Sequence, residues 1–102
     1  MNVSDAFQLF MTEAPEHARA WLDAAKGLDH ACRLDKKTEA LAYLAVLAAM
    51  RLTSGIAFHA GEAKKAGASR EEVIGAVLVG LPAAGNGVIQ SLPAALEAFD
   101  HS

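Results

Sequence analysis

The sequence predicts an all-α fold, a compact bundle of five to six helices. Ser69 and Glu72 form an S-x-x-E capping box, which is typical of a helix N-terminus. Alanine supplies much of the apolar content and favours helix. These signals outweigh the valines and glycines that follow the box, which would also suit a strand. The residues that follow the box occupy the i, i+3, i+4 and i+7 positions of one helix face: Ile74, Val77, Leu78 and Leu81.

Two helices are predicted at the N-terminal end. Ser4 can cap the first one with its hydroxyl group. Pro15 suits the first turn of the second helix, which runs to Lys26 and stops at Gly27, where glycine accepts a left-handed conformation. Residues 28–34 are expected to form a connection with one helical turn. The apolar face of the first helix contains Phe7, Phe10 and Met11.

The middle of the chain predicts two further helices. Asp35 is a suitable N-cap for a third helix over residues 36–51. Between residues 40 and 50 that helix has no polar face, so we expect neighbours to bury it on every side. Ser54 lies in a break and can cap a fourth helix, which ends before Gly67. The fourth helix has Ile56, His59, Ala60 and Ala63 on its apolar face and Glu62, Lys64 and Lys65 on its outward face.

Two prolines divide the C-terminal third of the chain. Pro82 is predicted to end the fifth helix, because proline lacks the backbone N–H that a helix interior needs. The tail, residues 83–99, is predicted to be helical with an interruption at residues 91–93. The last of those three residues is again a proline.

Length and composition indicate one domain, residues 1–102, that associates with copies of itself. The chain is 53% hydrophobic, and its mean hydropathy is +0.22. A domain of this length buries only about 60 to 68% of its unfolded surface, so it cannot hide all of this apolar content internally. Interfaces in a homo-oligomer would cover the surplus.

Charge and segment patterns exclude several classes of partner. The net charge of −3 and the absence of a basic stripe argue against nucleic-acid binding. The N-terminus has no basic region before an apolar run, so no signal peptide is expected. The apolar stretch at residues 40–50 is shorter than the roughly 20 residues that a membrane span needs. We therefore expect a soluble cytoplasmic protein.

His59 is the residue that the sequence favours for chemistry. It is predicted to lie in the first turns of the fourth helix, where free N–H groups and the helix dipole can hold an anion or a developing oxyanion. An imidazole at that position would have a lowered pKa and could act as a general base near pH 7. The alternative is a half-buried structural histidine with one hydrogen bond.

Two other pairs of titratable residues, His30 with Cys32 and Glu13 with His17, are not expected to form a functional site. Cys32, the one cysteine of the chain, cannot form an internal disulfide or a CxxC pair, and its side chain would diverge from that of His30 on a helix. Glu13 and His17 stand at i and i+4, but a metal site needs more than two ligands. No cofactor and no metal is expected.

Three segments together resemble the carboxymuconolactone decarboxylase family, which also includes the alkylhydroperoxidase D type proteins. They are LDKKT at residues 34–38, His59 on the next helix, and AGASREEV at residues 66–73. The resemblance covers the central half of the chain closely and most of the rest more loosely. It implies an all-helical domain that assembles as a homo-trimer or homo-hexamer.

The peroxidase branch of that family implies a redox site that this chain lacks. Its CxxC pair falls on Leu52 and Gly55 here, and its glutamate falls on Ala40. Glu39 is one residue away, which places it about 100° around a helix. Peroxide reduction by a cysteine pair is therefore not expected, although a residual alkylhydroperoxidase activity through Cys32 stays an alternative.

The decarboxylase branch keeps the histidine without the cysteines, and its substrate is a carboxylated lactone. The sequence thus predicts a non-redox member that binds a small metabolite near His59, with proton transfer of the decarboxylase or isomerase kind. Arg51 would bind the substrate's carboxylate, and Thr53 and Ser54 would donate from their hydroxyl groups. A catalytically inactive homo-oligomer with a ligand-binding or structural role is the alternative.

Overall fold

The computed structural model describes residues 3–102 and confirms the all-α fold. Within those residues, six helices have nine residues or more, and no strand is present. The helices are α1 (Asp5–Glu13), α2 (Pro15–Ala31), α3 (Lys36–Ala49), α4 (Ile56–Lys65), α5 (Arg70–Leu78), α6 (Leu81–Ala84) and α7 (Leu92–Asp100), with 3₁₀ segments at Thr53–Gly55 and Gly85–Ser91.

Helices α3, α4, α5 and α7 pack around one hydrophobic core. We call these four helices, together with α6 and the two 3₁₀ segments, the α3–α7 unit. The largest contacts join α4 to α7, α3 to α4, and α3 to α5. Small side chains let these helices approach closely, and burial of the larger ones supplies the main stabilising free energy. The fully buried apolar residues are Leu44, Ala48, Ile56, Ala60, Ala63, Val73, Val77 and Ala95.

Three predicted N-caps are confirmed by their hydrogen bonds. The Ser4 hydroxyl accepts from the Phe7 amide at 3.2 Å, and an Asp35 carboxylate oxygen accepts from the Thr38 amide at 2.9 Å. In the capping box the Ser69 hydroxyl accepts from the Glu72 amide at 3.0 Å, and the Glu72 carboxylate accepts from the Ser69 amide at 2.9 Å. Each bond satisfies an amide that the helix itself leaves unpaired.

Three predicted boundaries are wrong. Gly27 does not stop α2, which continues to Ala31. Ser54 does not cap α4; it lies in a 3₁₀ turn that leads directly into the helix. Pro82 does not end α5, which stops at Leu78, but instead lies in the first turn of α6, where its missing N–H costs nothing.

The tail is less regular than predicted. Its interruption is the 3₁₀ segment Gly85–Ser91, and Pro93 lies in the first turn of α7.

Three polar contacts join α5 and α7 to each other and to α3 and α4. Arg70 forms a two-bond ion pair with Asp100 at 2.9 and 3.1 Å. Lys37 of α3 binds Glu72 at 3.1 Å. Lys64, predicted to face outward, instead donates to the Phe99 carbonyl at 2.7 Å.

Helices α1 and α2 form a hairpin that packs mainly on itself. In the α1–α2 hairpin, Ala18 is the single buried residue among the described ones. An ion pair at 3.0 Å between Asp29 and Lys36 ties its end to α3. Trp21 is 57% exposed. The hairpin is therefore held to the α3–α7 unit by few side chains.

The prediction that neighbours bury α3 on every side is wrong when only the helices of the same copy are considered. Leu44, Leu47 and Ala48 face the core. A second face exposes Tyr43, Val46 and Met50, because the described helices of the same chain cover it only in part, where α4 contacts Tyr43; the exposed fractions are 50%, 54% and 63%.

The longest apolar stretch lies in the C-terminal third and not between residues 40 and 50. Arg70–Asp100 has the length and hydropathy of a membrane-spanning helix, judged by length and composition alone, and 22% of its most apolar window is buried. The stretch is divided into three helices and a 3₁₀ segment. Helices α5 and α7 have nine residues each and so are about 13.5 Å long, against about 30 Å for a bilayer core.

Candidate functional site

His59 lies one turn into α4, and aromatic rings surround its imidazole. The imidazole stacks on the ring of Tyr43 from α3, with ring centres 4.2 Å apart and planes 24° from parallel. The ring of Phe58 meets it edge-on, with centres 5.1 Å apart and planes at 85°. The residue is half-buried. Aromatic contacts of both kinds therefore fix the plane of the imidazole.

The imidazole nitrogens of His59 make no hydrogen bond or ion pair with any side chain or backbone group in residues 3–102. Burial lowers the pKa of His59 from its usual 6.5, and the carboxylate of Glu62 opposes that shift. The sequence attributed a lowered pKa to the helix dipole, whereas here the first cause is loss of hydration among apolar neighbours. The imidazole is thus neutral near pH 7, and one ring nitrogen can accept a proton.

Arg51 lies just beyond α3 in a strained backbone conformation. Its φ of +59° falls in the left-handed region, which side-chain-bearing residues seldom adopt. Its guanidinium lies against the backbone of Gly87, where a Cβ atom would overlap the guanidinium nitrogen Nε. In the described part of the chain Arg51 has no hydrogen-bond or ion-pair partner. The group is therefore placed by packing and keeps its donors for another acceptor.

The chain segment between Arg51 and His59 contains the two predicted hydroxyl donors. Thr53 and Ser54 are exposed in the 3₁₀ turn that joins α3 to α4. No polar contact connects any two of these four side chains within residues 3–102. The predicted residues therefore share one junction of the fold, but they do not form a hydrogen-bonded cluster.

Sequence reasoning missed Tyr43 and Phe58 as parts of the site. Tyr43 is the one tyrosine of the chain, and it stands in the otherwise apolar stretch of α3. That isolated phenol was a signal that could have identified it. Phe58 precedes His59 directly, but an adjacent residue on a helix does not predict a ring contact, because neighbours point about 100° apart.

Of the two positions of the missing cysteine pair, Gly55 packs against the core residue Leu47 and Leu52 is exposed. A Cβ atom at Gly55 would lie 3.5 Å from a methyl group of Leu47, and Leu52 is 47% exposed. Cys32 is a half-buried free thiol at the end of α2. Residues 3–102 bring together no three His, Cys, Asp or Glu side chains that could hold a metal ion.

Two open surface grooves lie on the α1–α2 hairpin and not at His59. The larger, of about 670 Å³, runs along α2 between Met11 and Asp29. The smaller, of about 470 Å³, contains the rings of Phe7, Phe10 and Trp21. The His59 imidazole instead borders the exposed apolar face of α3, which is open on this single chain.

Comparison with protein families gives one match. The model of the carboxymuconolactone decarboxylase family matches residues 15–99, which is most of the chain and includes α2 to α7 up to Phe99. His59 and Arg51 both lie within the matched range. No curated protein and no solved structure gives a significant match.

Proposed function

Because the chain belongs to the carboxymuconolactone decarboxylase family, we propose that it is a non-redox member that binds a small carboxylated metabolite beside His59. The reaction is proton transfer of the decarboxylase or isomerase kind. The protein works as a cytoplasmic homo-oligomer, a trimer or hexamer. It needs neither a metal nor a redox cofactor, since the neutral imidazole supplies the base.

One observation carries this proposal. The imidazole of His59 is oriented by two aromatic rings, is half-buried, and has no hydrogen-bond partner in residues 3–102. Neither ring nitrogen is buried, since Ser91 Oγ is the one buried side-chain polar atom that lacks a partner among the described residues, so a bound molecule can reach both nitrogens. A general base needs a neutral nitrogen left open for the substrate's proton.

Arg51 is the proposed carboxylate anchor. Its guanidinium is held against Gly87 without an acidic partner in the described residues, and a planar guanidinium binds a carboxylate with two parallel hydrogen bonds. Thr53 and Ser54 lie between Arg51 and α4, where their exposed hydroxyls can donate to the same ligand. The flat ring of Tyr43 provides an apolar side for the metabolite.

Turnover of a carboxylated lactone, carboxymuconolactone, tests the proposal. His59→Gln should lower kcat by about 10² to 10⁴, the usual contribution of a general base, with unchanged far-UV circular dichroism and mass. Arg51→Gln should act mainly on KM, raising it about 10-fold to 100-fold, because it removes a charged hydrogen-bond pair worth about 1.5 to 3 kcal/mol. Lys65→Gln, at an exposed position of the same helix, is the matched control, and turnover that His59→Gln leaves intact would refute the role of His59.

The pH profile of kcat/KM gives an independent check. A base must be neutral, and burial holds the pKa of His59 below 6.5. Activity should therefore be retained through pH 6.5 and fall only on further acidification. A rate that instead rises as the pH drops would mean that the protonated imidazole is the active form.

A second candidate function, an assembly without catalysis, is supported by the exposed apolar face of α3. In that case His59 stabilises packing against Tyr43. His59→Ala would then dissociate or unfold the protein, and no carboxylated lactone would be consumed by the wild type. A residual peroxidase that uses Cys32 has no such support, because no second thiol exists in the chain to resolve it.

A further inference from the structure

We infer that the α1–α2 hairpin of one copy docks on the exposed face of α3 in a second copy. The docking surfaces are the α2 stripe, which is Trp21, Ala24 and Leu28, and the α3 stripe, which is Tyr43, Val46 and Met50. This inference rests on the proposed homo-oligomer and specifies its contact. It also places a neighbouring subunit beside the imidazole of His59.

Both stripes are open on the single chain. On α2, Trp21 and Leu28 are 57% and 70% exposed. On α3, half or more of the Tyr43, Val46 and Met50 side chains is exposed. Trp and Tyr are the residue types that contribute most binding free energy at protein interfaces. Each stripe therefore has an aromatic anchor that its own chain covers only in part: His59 stacks on Tyr43, and Trp21 lies in a groove beside Phe7 and Phe10.

The two stripes have the same spacing. Both place their side chains at positions i, i+3 and i+7, which is the pattern of a coiled-coil seam. Each stripe is about 10.5 Å long, since seven residues of helix rise by that distance. The small Ala24 stands at the centre of one stripe and the larger Val46 at the centre of the other. Side chains from the two helices can thus interdigitate.

The surface area of the chain fits a missing interface. Its accessible surface is 6746 Å². A compact monomer of 10.6 kDa exposes about 5,500 Å², so this chain exposes roughly 1,200 Å² more. A standard protein–protein interface covers about 800 Å² on each partner. The excess therefore exceeds the area of one such contact and is about three quarters of the roughly 1,600 Å² that one supplied and one received contact would cover on each copy.

Charge favours a contact of hairpin on α3 over a contact of hairpin on hairpin. Residues 1–31 contain five acidic and two basic side chains, a net charge of −3. Residues 32–102 contain seven of each and are neutral overall. Two hairpins facing each other would therefore repel, whereas a hairpin against α3 would not. Such a head-to-tail contact closes into a ring when the rotation between copies permits.

The contact would complete the His59 site. Tyr43 belongs to the α3 stripe and also stacks on the imidazole of His59. A hairpin over Tyr43 removes water from one side of the stack, which strengthens electrostatic interactions inside the site. The neighbour thus acts as a wall of the binding pocket.

Paired variants test this contact by light scattering. Trp21→Glu breaks the α2 stripe, and Val46→Glu breaks the α3 stripe. Each alone should lower the mass from a multiple of 10.6 kDa to the monomer. Their 1:1 mixture should give a dimer, because an intact hairpin from the Val46→Glu chain can still dock on the intact α3 stripe of the Trp21→Glu chain.

The mixture separates the possible arrangements. A contact of hairpin on hairpin would survive in Val46→Glu alone, and a contact of α3 on α3 would survive in Trp21→Glu alone, so a single variant that keeps the wild-type mass overturns the inference. A mixture that stays monomeric overturns it too. A wild type that is monomeric overturns it as well. Val79→Glu is the matched control: Val79 is 67% exposed but lies on neither stripe, so this variant should keep the wild-type mass.

The fluorescence of Trp21 reports on the same contact directly, because Trp21 is the one tryptophan of the chain. Its emission should shift to longer wavelength in Val46→Glu, in which Trp21 itself is unchanged, and shift back on addition of Trp21→Glu. Unchanged emission would contradict docking. Failure here leaves the His59 turnover test untouched, and loss of the turnover proposal leaves these masses untouched, so the two claims fail separately.

Discussion

The α1–α2 hairpin and the α3–α7 unit are formed by the same helix signals but differ in what holds them. Each contains a helix with a serine cap, Ser4 for α1 and Ser69 for α5. The α3–α7 unit has a core of buried leucine, isoleucine, valine and alanine side chains, whereas the hairpin buries only Ala18 among its described residues. The comparison shows that caps and periodicity define a helix, while tertiary burial decides whether that helix shares in cooperative unfolding.

The largest expected difference concerns truncated leucines. Leu44→Ala in the core should lower the free energy of unfolding by about 2 to 5 kcal/mol, because it removes fully buried methyl groups and leaves a cavity. Leu9→Ala, at a site 62% exposed in α1, should change it by less than about 0.5 kcal/mol. Urea denaturation measures both, and equal losses would mean that the hairpin unfolds with the core.

A smaller difference is expected for the two serine caps. Ser69→Ala removes one half of a capping box in the α3–α7 unit and should lower global stability by about 1 kcal/mol. Ser4→Ala removes a similar bond from α1, where opening is local. Hydrogen exchange should therefore speed up in α1 alone, with an unchanged thermal midpoint. A lowered midpoint in Ser4→Ala would show that α1 is coupled to the core.

The smallest expected effects come from two helical glycines. A Cβ atom at Gly27 or Gly75 would meet no other atom within 4 Å. Alanine should therefore stabilise each helix by about 0.5 to 1 kcal/mol. Gly75→Ala should raise the thermal midpoint of the whole protein, whereas Gly27→Ala should only slow hydrogen exchange in α2. If Gly27→Ala instead destabilised the protein, the result would support the left-handed conformation that the sequence predicted for Gly27.

Parts of the site could be predicted from the sequence and parts could not. The sequence identified His59 and its place near the start of a helix, because a histidine among apolar positions at helical spacing stands out. It did not identify Tyr43, since a stacking partner 16 positions away depends on how α3 crosses α4. It also gave no sign that the guanidinium of Arg51 rests on Gly87, a contact between segments distant in the chain.

The sequence by itself determined the helical class, the three N-caps and the loss of the cysteine pair at Leu52 and Gly55. These depend on local hydrogen bonds and on residue identity, which neighbouring positions specify. The tertiary structure alone decided that α2 runs past Gly27 and that one face of α3 stays open. Helix length and burial depend on contacts between distant segments, and their free energies exceed the fraction of a kilocalorie by which a single propensity acts.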